Sequence, residues 1–400
     1  MSAPRLEIRL DHLHHNARSL KRQLAAHGIA ITGVSKASLG LPEIVRTWAA
    51  AGIASIGEPR IETIEALIAA GISTPMLLIR SPMLSQVQRV VAHASSSCNS
   101  EPVVLRALAA AALDQGRRHG VLLMVELGDL REGILPADLE AVAQLTLEQP
   151  GLRLLGIGTN LGCQHGIAAD PRNMAELSAL ANALERRFAL RLELVSGGNS
   201  SNLPWLAAGH PPGRINHLRL GEALLLGREP LTRSALSGLH TDAFCLVAEI
   251  IEAKDKPCQP WGQRGRTSFA PVTASPQRQP GQRQPGLRQR ALLALGIQDV
   301  DPAGLMPPAG IKVVGASSDH LVIEADRPLA VGDELRFGLD YSALLRAMTS
   351  PFIQRQCLQG SSQQGSGQQA STAQAGSGRG RWPLSPPLPV GRLSPSGSPG

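Results

Sequence analysis

Among the 39 Lys+Arg residues of this 400-residue chain only Lys21, Lys36, Lys254, Lys256 and Lys312 are lysine. Lys36 stands alone between residues 22 and 253, in the stretch ITGVSKASLG, where an apolar run from Ala30 to Val34 meets a turn closed by glycine. A solvated charge could as well be arginine, which the chain prefers elsewhere. An amine that must lose its proton and attack a carbonyl cannot be, because a guanidinium stays protonated. The competing reading is a plain strand-end lysine facing water. A second group, SGGNSS at 196–201 (Ser196, Asn199, Ser200), offers glycines that let backbone N–H groups approach a ligand and side chains that donate hydrogen bonds. A third, LRLGEA at 218–223, carries Arg219, Gly221 and Glu222. An amine, a phosphate cradle and a late arginine are together the equipment for pyridoxal 5'-phosphate held by a lysine.

These groups lie far apart in the chain, so a frame must bring them together. Eight short apolar runs serve as strand candidates: 30–35, 53–57, 75–80, 94–99, 120–127, 153–160, 192–198 and 217–227. The fourth, ASSSCN, is weak and is counted because the spacing demands it. Between the runs lie segments with apolar residues at helical spacing, such as RIETIEALIAAG and NMAELSALANALERRF. Eight strands alternating with helices over some two hundred residues predict a (β/α)₈ TIM barrel, whose chemistry sits at the strand C-termini. A doubly wound sheet is less favoured, since no GxGxxG follows the first strand. The strand ends carry Lys36, Glu58, Arg80, Asn99, Arg131, Asn160, SGGNSS and LRLGEA.

The expected organisation is a barrel over 1–235, opened by the strand LEIRL and a helix with Asp11 as its cap. A mostly β domain follows over 236–358, with the flexible insertion 270–287 rich in Pro, Gln and Arg. The tail 359–400 is Gln, Gly, Ser and Pro and is expected to be disordered. The formal charge of +7 has no Lys/Arg run that would mark a nucleic-acid face. The cysteines Cys98, Cys163, Cys245, Cys258 and Cys357 have no CxxC or metal spacing. No signal peptide or membrane span is expected, which predicts a cytoplasmic protein with no membrane partner. DHLHH at 11–15 has no acidic or Cys partner nearby in sequence, so no metal is expected.

Several of these segments resemble one family in fixed order. GVSKASLG is similar to the lysine motif of the alanine racemase superfamily, and VELGDLREG, VSGGNSS and LRLGEALLLGRE resemble its later motifs. With GASSDHL, the order resembles the ornithine racemase branch, over about residues 4 to 357. The resemblance implies a racemase that interconverts L- and D-amino acids, ornithine or another basic one, through a Lys36 Schiff base. It implies an alanine-racemase-type barrel with a C-terminal β domain, working as a homodimer on a small-molecule substrate. Asn199, Ser200 and the Gly221–Glu222 backbone would bind phosphate, Arg219 the pyridine nitrogen, and Tyr341 would touch the phosphate. Arg131 would sit near the cofactor oxygen and substrate carboxylate. It could instead pair with Glu126, Asp129 or Glu132.

The pattern also departs from the family. Asn160 replaces a ring-stacking histidine, Gly40 replaces a tyrosine, and Phe269 stands where the partner subunit's catalytic tyrosine is expected. Cys163, Asp319 and His320 are the candidates for the second acid/base. Glu222, apolar in alanine racemases, could bind a distal ammonium or face solvent. His165 and His217 read as ordinary loop or cap histidines. Alternatives are an alanine-racemase-like enzyme with another substrate, a decarboxylase of the same fold, and a non-catalytic cofactor-binding protein.

Overall fold

The computed structural model describes residues 4–257, 262 and 286–359. Cys258, Phe269, nearly all of the expected insertion at 270–287 and the tail from 360 onward lie outside the described residues.

The chain opens with β1 (Arg5–Arg9) and α1 (Leu10–Ala25). Eight strand–helix units follow: β2 (Ala30–Val34) and α2 (Pro42–Ala50), β3 (Ser55–Glu58) and α3 (Ile61–Ala69), β4 (Met76–Leu78) and α4 (Val87–His93), β5 (Ser96–Asn99) and α5 (Pro102–Asp114). The series continues with β6 (His119–Met124) and α6 (Leu139–Leu147), β7 (Leu152–Gly158) and α7 (Pro171–Phe188), β8 (Leu194–Ser196) and α8 (Leu203–Ala207), β9 (His217–Leu220) and α9 (Glu222–Leu226). Strands β2 to β9 pair in order as parallel neighbours, and β9 closes on β2 with Ala30 opposite His217. The expected barrel is therefore present, weak fourth strand included: Ser97, Cys98 and Asn99 of β5 are all buried. The core is aliphatic, as two per cent aromatics require, with Trp48 its largest fully buried side chain.

The second body is a sheet of β10 (Phe244–Pro257), β11 (Leu287–Leu293), β12 (Leu305–Met306), β13 (Ile311–Ala316), β14 (Leu321–Ala325) and β15 (Glu334–Leu339), in the order β12-β15-β10-β11-β14-β13. Helix α10 (Tyr341–Thr349) and β16 (Gln354–Leu358) end the described chain.

Three expectations need correction. LEIRL was grouped with the barrel, but β1 hydrogen-bonds to β10 and β16 and so belongs to the second sheet. Asp11 is not a cap: α1 begins at Leu10, with Arg9 at the cap position and no side-chain cap bond. Asp11 sits in the first turn, where a negative charge still complements the helix dipole. The run HLRLGEALLLG is strand only to Leu220; after Gly221 it turns into α9, which Gly227 ends in the left-handed conformation. Ala223 to Leu226 are buried on every side, and such an apolar run reads alike as buried strand or buried helix.

Candidate active site

The C-terminal strand ends surround a cavity of about 350 Å³ bordered by Lys36, Arg131, Asn160, Cys163, Ser200 and Arg219, with Gly221, Glu222 and Tyr341 completing it. Lys36 opens the single turn Lys36–Ser38 that follows β2. Helix α10 packs across this turn, and the Lys36 ammonium lies 5.7 Å from the centre of the Tyr341 ring. The second body thus supplies Tyr341 to the barrel site.

Arg219 is held from two directions within the barrel. One guanidinium nitrogen donates to Ser196 Oγ and the other donates to the Thr159 carbonyl at 2.6 Å. Burial pushes its pKa down from the usual arginine range. Ser196 Oγ also lies 2.8 Å from His217 Nδ1, and His217 Nε2 lies 2.7 Å from Thr32 Oγ1. Burial first, and the Arg219 charge second, push His217 down to about 3, so the ring is neutral at physiological pH. Two expectations change here. Ser196 does not border the cavity but anchors Arg219, and His217 is no cap but a link in the polar chain that fixes the arginine. The alternation of β9 was the available signal, since His217 and Arg219 share the inward face.

The cradle is built by SGGNSS. Gly198 has φ +138°, and a Cβ there would stand 2.3 Å from Asn202 Oδ1, so only glycine fits. The Asn199 side chain accepts from Ser201 N–H at 2.8 Å and donates to the Leu161 carbonyl at 2.7 Å and Asn160 Oδ1 at 3.2 Å. Asn199 therefore ties the cradle to the loop after β7. Ser200 Oγ accepts from Ala223 N–H at 3.1 Å, which fixes the cradle to α9.

Arg131 does border the cavity, and its guanidinium also ion-pairs with Glu132, which holds it further above its ordinary range. Cys163 borders the cavity with an exposed thiol. Asp319 and His320 do not: they sit in the exposed turn between β13 and β14, bonded to each other at 2.9 Å. Within one chain they are therefore no part of this site.

Three acids named in sequence without a role in the site, Glu58 at a strand end and Asp129 and Glu132 as possible partners of Arg131, take defined places here. Asp129 accepts backbone N–H groups from Cys163, Gln164 and His165 at 2.9 to 3.1 Å. Burial works against its ionisation, yet these donors outweigh it and hold its carboxyl below the usual range. Glu132 borders the cavity beside Arg131. Glu58 is buried, and Ser35 Oγ donates to it. Nothing in residue type alone separates these acids from solvated ones.

Outside the site, the fold gives His12 the partners its sequence neighbours lacked: His240 and Asp242 bring ligating atoms within 4.8 Å. The two imidazoles stack 3.8 Å apart and nearly parallel, and one ion cannot lie in both ring planes. Among the described residues no helix is long and apolar enough to cross a membrane.

Residues 8–229 match the alanine racemase N-terminal domain family. The chain is 38% identical over 359 residues to a lysine racemase of Thermotoga maritima, covering 89% of this chain and 98% of that protein. It is 35% identical over 360 residues to an ornithine racemase of Acetoanaerobium sticklandii, covering 89% and 99%. The solved alanine racemase of Streptomyces lavendulae superposes with TM-score 0.68 at 18% identity over 90% of this chain and 98% of that one, a likeness of fold. With its lysine-bearing barrel, its second sheet and these relatives, the chain belongs to the alanine racemase N-terminal domain family and is an amino-acid racemase.

Proposed function

We propose that the chain racemises a basic amino acid, ornithine or lysine, with pyridoxal 5'-phosphate bound at Lys36. The observation that carries the reading is the convergence of Lys36, Arg219 and Ser200 on one cavity that Glu222 also borders. The residues fit the cofactor. Asn160 Nδ2 is buried without a hydrogen-bond partner while its side chain borders that cavity. Gly221 also borders the cavity, and a Cβ there would stand 3.3 Å from the Val34 carbonyl oxygen, a tight contact. Lys36 would hold the cofactor covalently, Ser200 and the Gly221 backbone would hold its phosphate with Tyr341 nearby, and Arg219 would face its ring nitrogen. When bound, pyridoxal phosphate supplies the electron sink that makes the Cα–H of an attached amino acid acidic.

The remaining work falls to side chains. Arg219, fixed by Ser196 and Thr159, would offer a cation to the ring nitrogen of the bound cofactor and disfavour a proton there. Arg131 offers a guanidinium to a substrate carboxylate. Lys36 removes or returns the Cα proton on one face. Inversion needs a second acid/base on the other face. Of the candidates, only Cys163 borders the cavity in this chain.

Glu222 supports the choice of a basic substrate. Burial pushes its carboxyl up to about 7, Arg233 acting against that and Asp340 and Glu229 reinforcing it. A cation brought by the substrate would restore its charge, whereas alanine brings none. The proposal includes the homodimer expected of the family, which light scattering of the purified protein would test.

The test of substrate is direct. The protein with added pyridoxal phosphate is incubated with L-ornithine, L-lysine, L-arginine and L-alanine in turn, and the products are separated by chiral chromatography. The D form of ornithine or lysine should accumulate, and Glu222→Gln should erase the preference over alanine. Equal turnover of alanine, or a preference unchanged in Glu222→Gln, contradicts the assignment.

A further inference from the structure

We propose that Glu58 is the proton partner of Lys36, taking the proton that the amine must shed before it can attack a carbonyl and holding it until the amine is regenerated. This rests on the reading of Lys36 as the cofactor-binding amine. Glu58 ends β3, the strand beside β2, and is 1% exposed. Ser35 Oγ donates to its Oε1, and Ser35 directly precedes Lys36, so the bond ties the carboxyl to the turn that carries the amine.

Buried carboxylates are normally paired with a cation. Glu7 shows the usual solution, with Arg5 and Arg336 on its two oxygens. Glu58 has no such ion pair among the described residues; its side chain accepts from Ser35 alone. Glu58 instead borders a second cavity of about 490 Å³, together with Lys36 and Tyr341. The charged and titratable groups that border this cavity with it are Lys36 from the turn after β2, Arg60 from the loop between β3 and α3, and Tyr341 and Arg346 from α10.

The chemistry of such a pair is a proton exchange. In the forward direction an N–H bond of the Lys36 ammonium breaks, its electron pair stays on Nζ, and an O–H bond forms on the carboxyl oxygen that Ser35 does not engage. The reverse step restores the ammonium. Accepting the proton leaves the buried Glu58 carboxyl neutral, which its surroundings favour. Burial pushes the Glu58 carboxyl up to about 7, with the Ser35 hydrogen bond and the Lys36 charge acting against it. An acid so placed can both accept and release a proton near neutral pH.

The test uses the full chain without cofactor. Lys36 is acetylated with acetic anhydride across the neutral pH range, and its labelling rate is read by peptide mass spectrometry in wild type, Glu58→Gln and Ser35→Ala. The wild-type profile should carry an inflection near pH 7, which Glu58→Gln loses. In Ser35→Ala the inflection should move to higher pH, because the hydrogen bond that favours the carboxylate is gone. Profiles for Glu58→Gln and wild type that superpose would overturn the proposal, and so would an inflection that Ser35→Ala leaves in place. Ser35→Ala also keeps the proposal exposed to refutation if Glu58→Gln fails to fold by circular dichroism. A separate arm adds pyridoxal phosphate and borohydride and weighs the Lys36 peptide. Absence of the cofactor's mass on Lys36 would defeat the cofactor reading, whatever the labelling profile shows.

Discussion

Glu58→Gln should make the protein more stable as pH rises, relative to wild type. Glutamine keeps the volume and an acceptor for Ser35 but cannot ionise. In wild type, burial raises the folded-state carboxyl from 4.5 to about 7. A group whose folded pKa is raised contributes stability that is full below its unfolded pKa and is lost as pH climbs through the folded one. At about 1.4 kcal/mol for each tenfold step in protonation, the displacement is worth about 3 kcal/mol in all. About 2.5 kcal/mol of that disappears between about pH 5 and about pH 8. The group is almost wholly buried, so solvent screens little of it. Buried histidines also titrate as pH changes, but wild type and variant share them and they cancel in the difference. The assay is urea unfolding of the cofactor-free proteins at the two pH values. The stability of Glu58→Gln minus that of wild type should grow by about 2.5 kcal/mol from acid to alkaline pH. A difference that stays constant within about 0.5 kcal/mol would refute the argument that this carboxyl is held buried and uncompensated.

Ser196→Ala removes one of the two anchors of Arg219 and should weaken retention of pyridoxal phosphate about tenfold by equilibrium dialysis, at the lower end for a bond to a charged group. Asp129→Ala leaves the N–H groups of Cys163, Gln164 and His165 without their acceptor and should cost about 2 to 3 kcal/mol in urea unfolding, while Asp129→Asn should cost less. Because Asp129 is held low, its contribution is present at neutral pH and should fade as pH drops toward its folded value. His217 is neutral in the folded state down to about 3, so stability should fall below its unfolded pKa, by about 2 kcal/mol at about pH 5, and His217→Gln should flatten that slope.

What could be read from sequence was whatever depends on local pattern. Alternating apolar runs and helical segments specify a barrel because each strand needs a helix to cover it. Lys36 stood out because the chain otherwise prefers arginine, and SGGNSS because glycines in a polar loop have few uses other than a close approach to a ligand. What stayed hidden depends on contacts across the sheet. That Ser196 and His217 serve Arg219 follows from neighbouring inward positions on β8 and β9, which no single segment displays. Glu58 and Asp129 look like any acid at a strand end until burial and partners are known. Asp319 and His320 lie outside this chain's own cavity, in a turn between β13 and β14 whose position only the tertiary fold reveals. The α9 segment was misread because a fully buried helix and a fully buried strand share the same unbroken apolar run.

The central claim is that Lys36 and a second group exchange the Cα proton of a basic amino acid on both faces. The most direct measurement is Cα exchange in D₂O, by NMR, with L-ornithine or L-lysine, protein and pyridoxal phosphate, followed by chiral analysis. The account predicts loss of the Cα proton signal together with the D form, and neither in Lys36→Ala. Exchange that leaves only the L form would mean the second face has no proton donor, and no exchange with either amino acid would contradict the account.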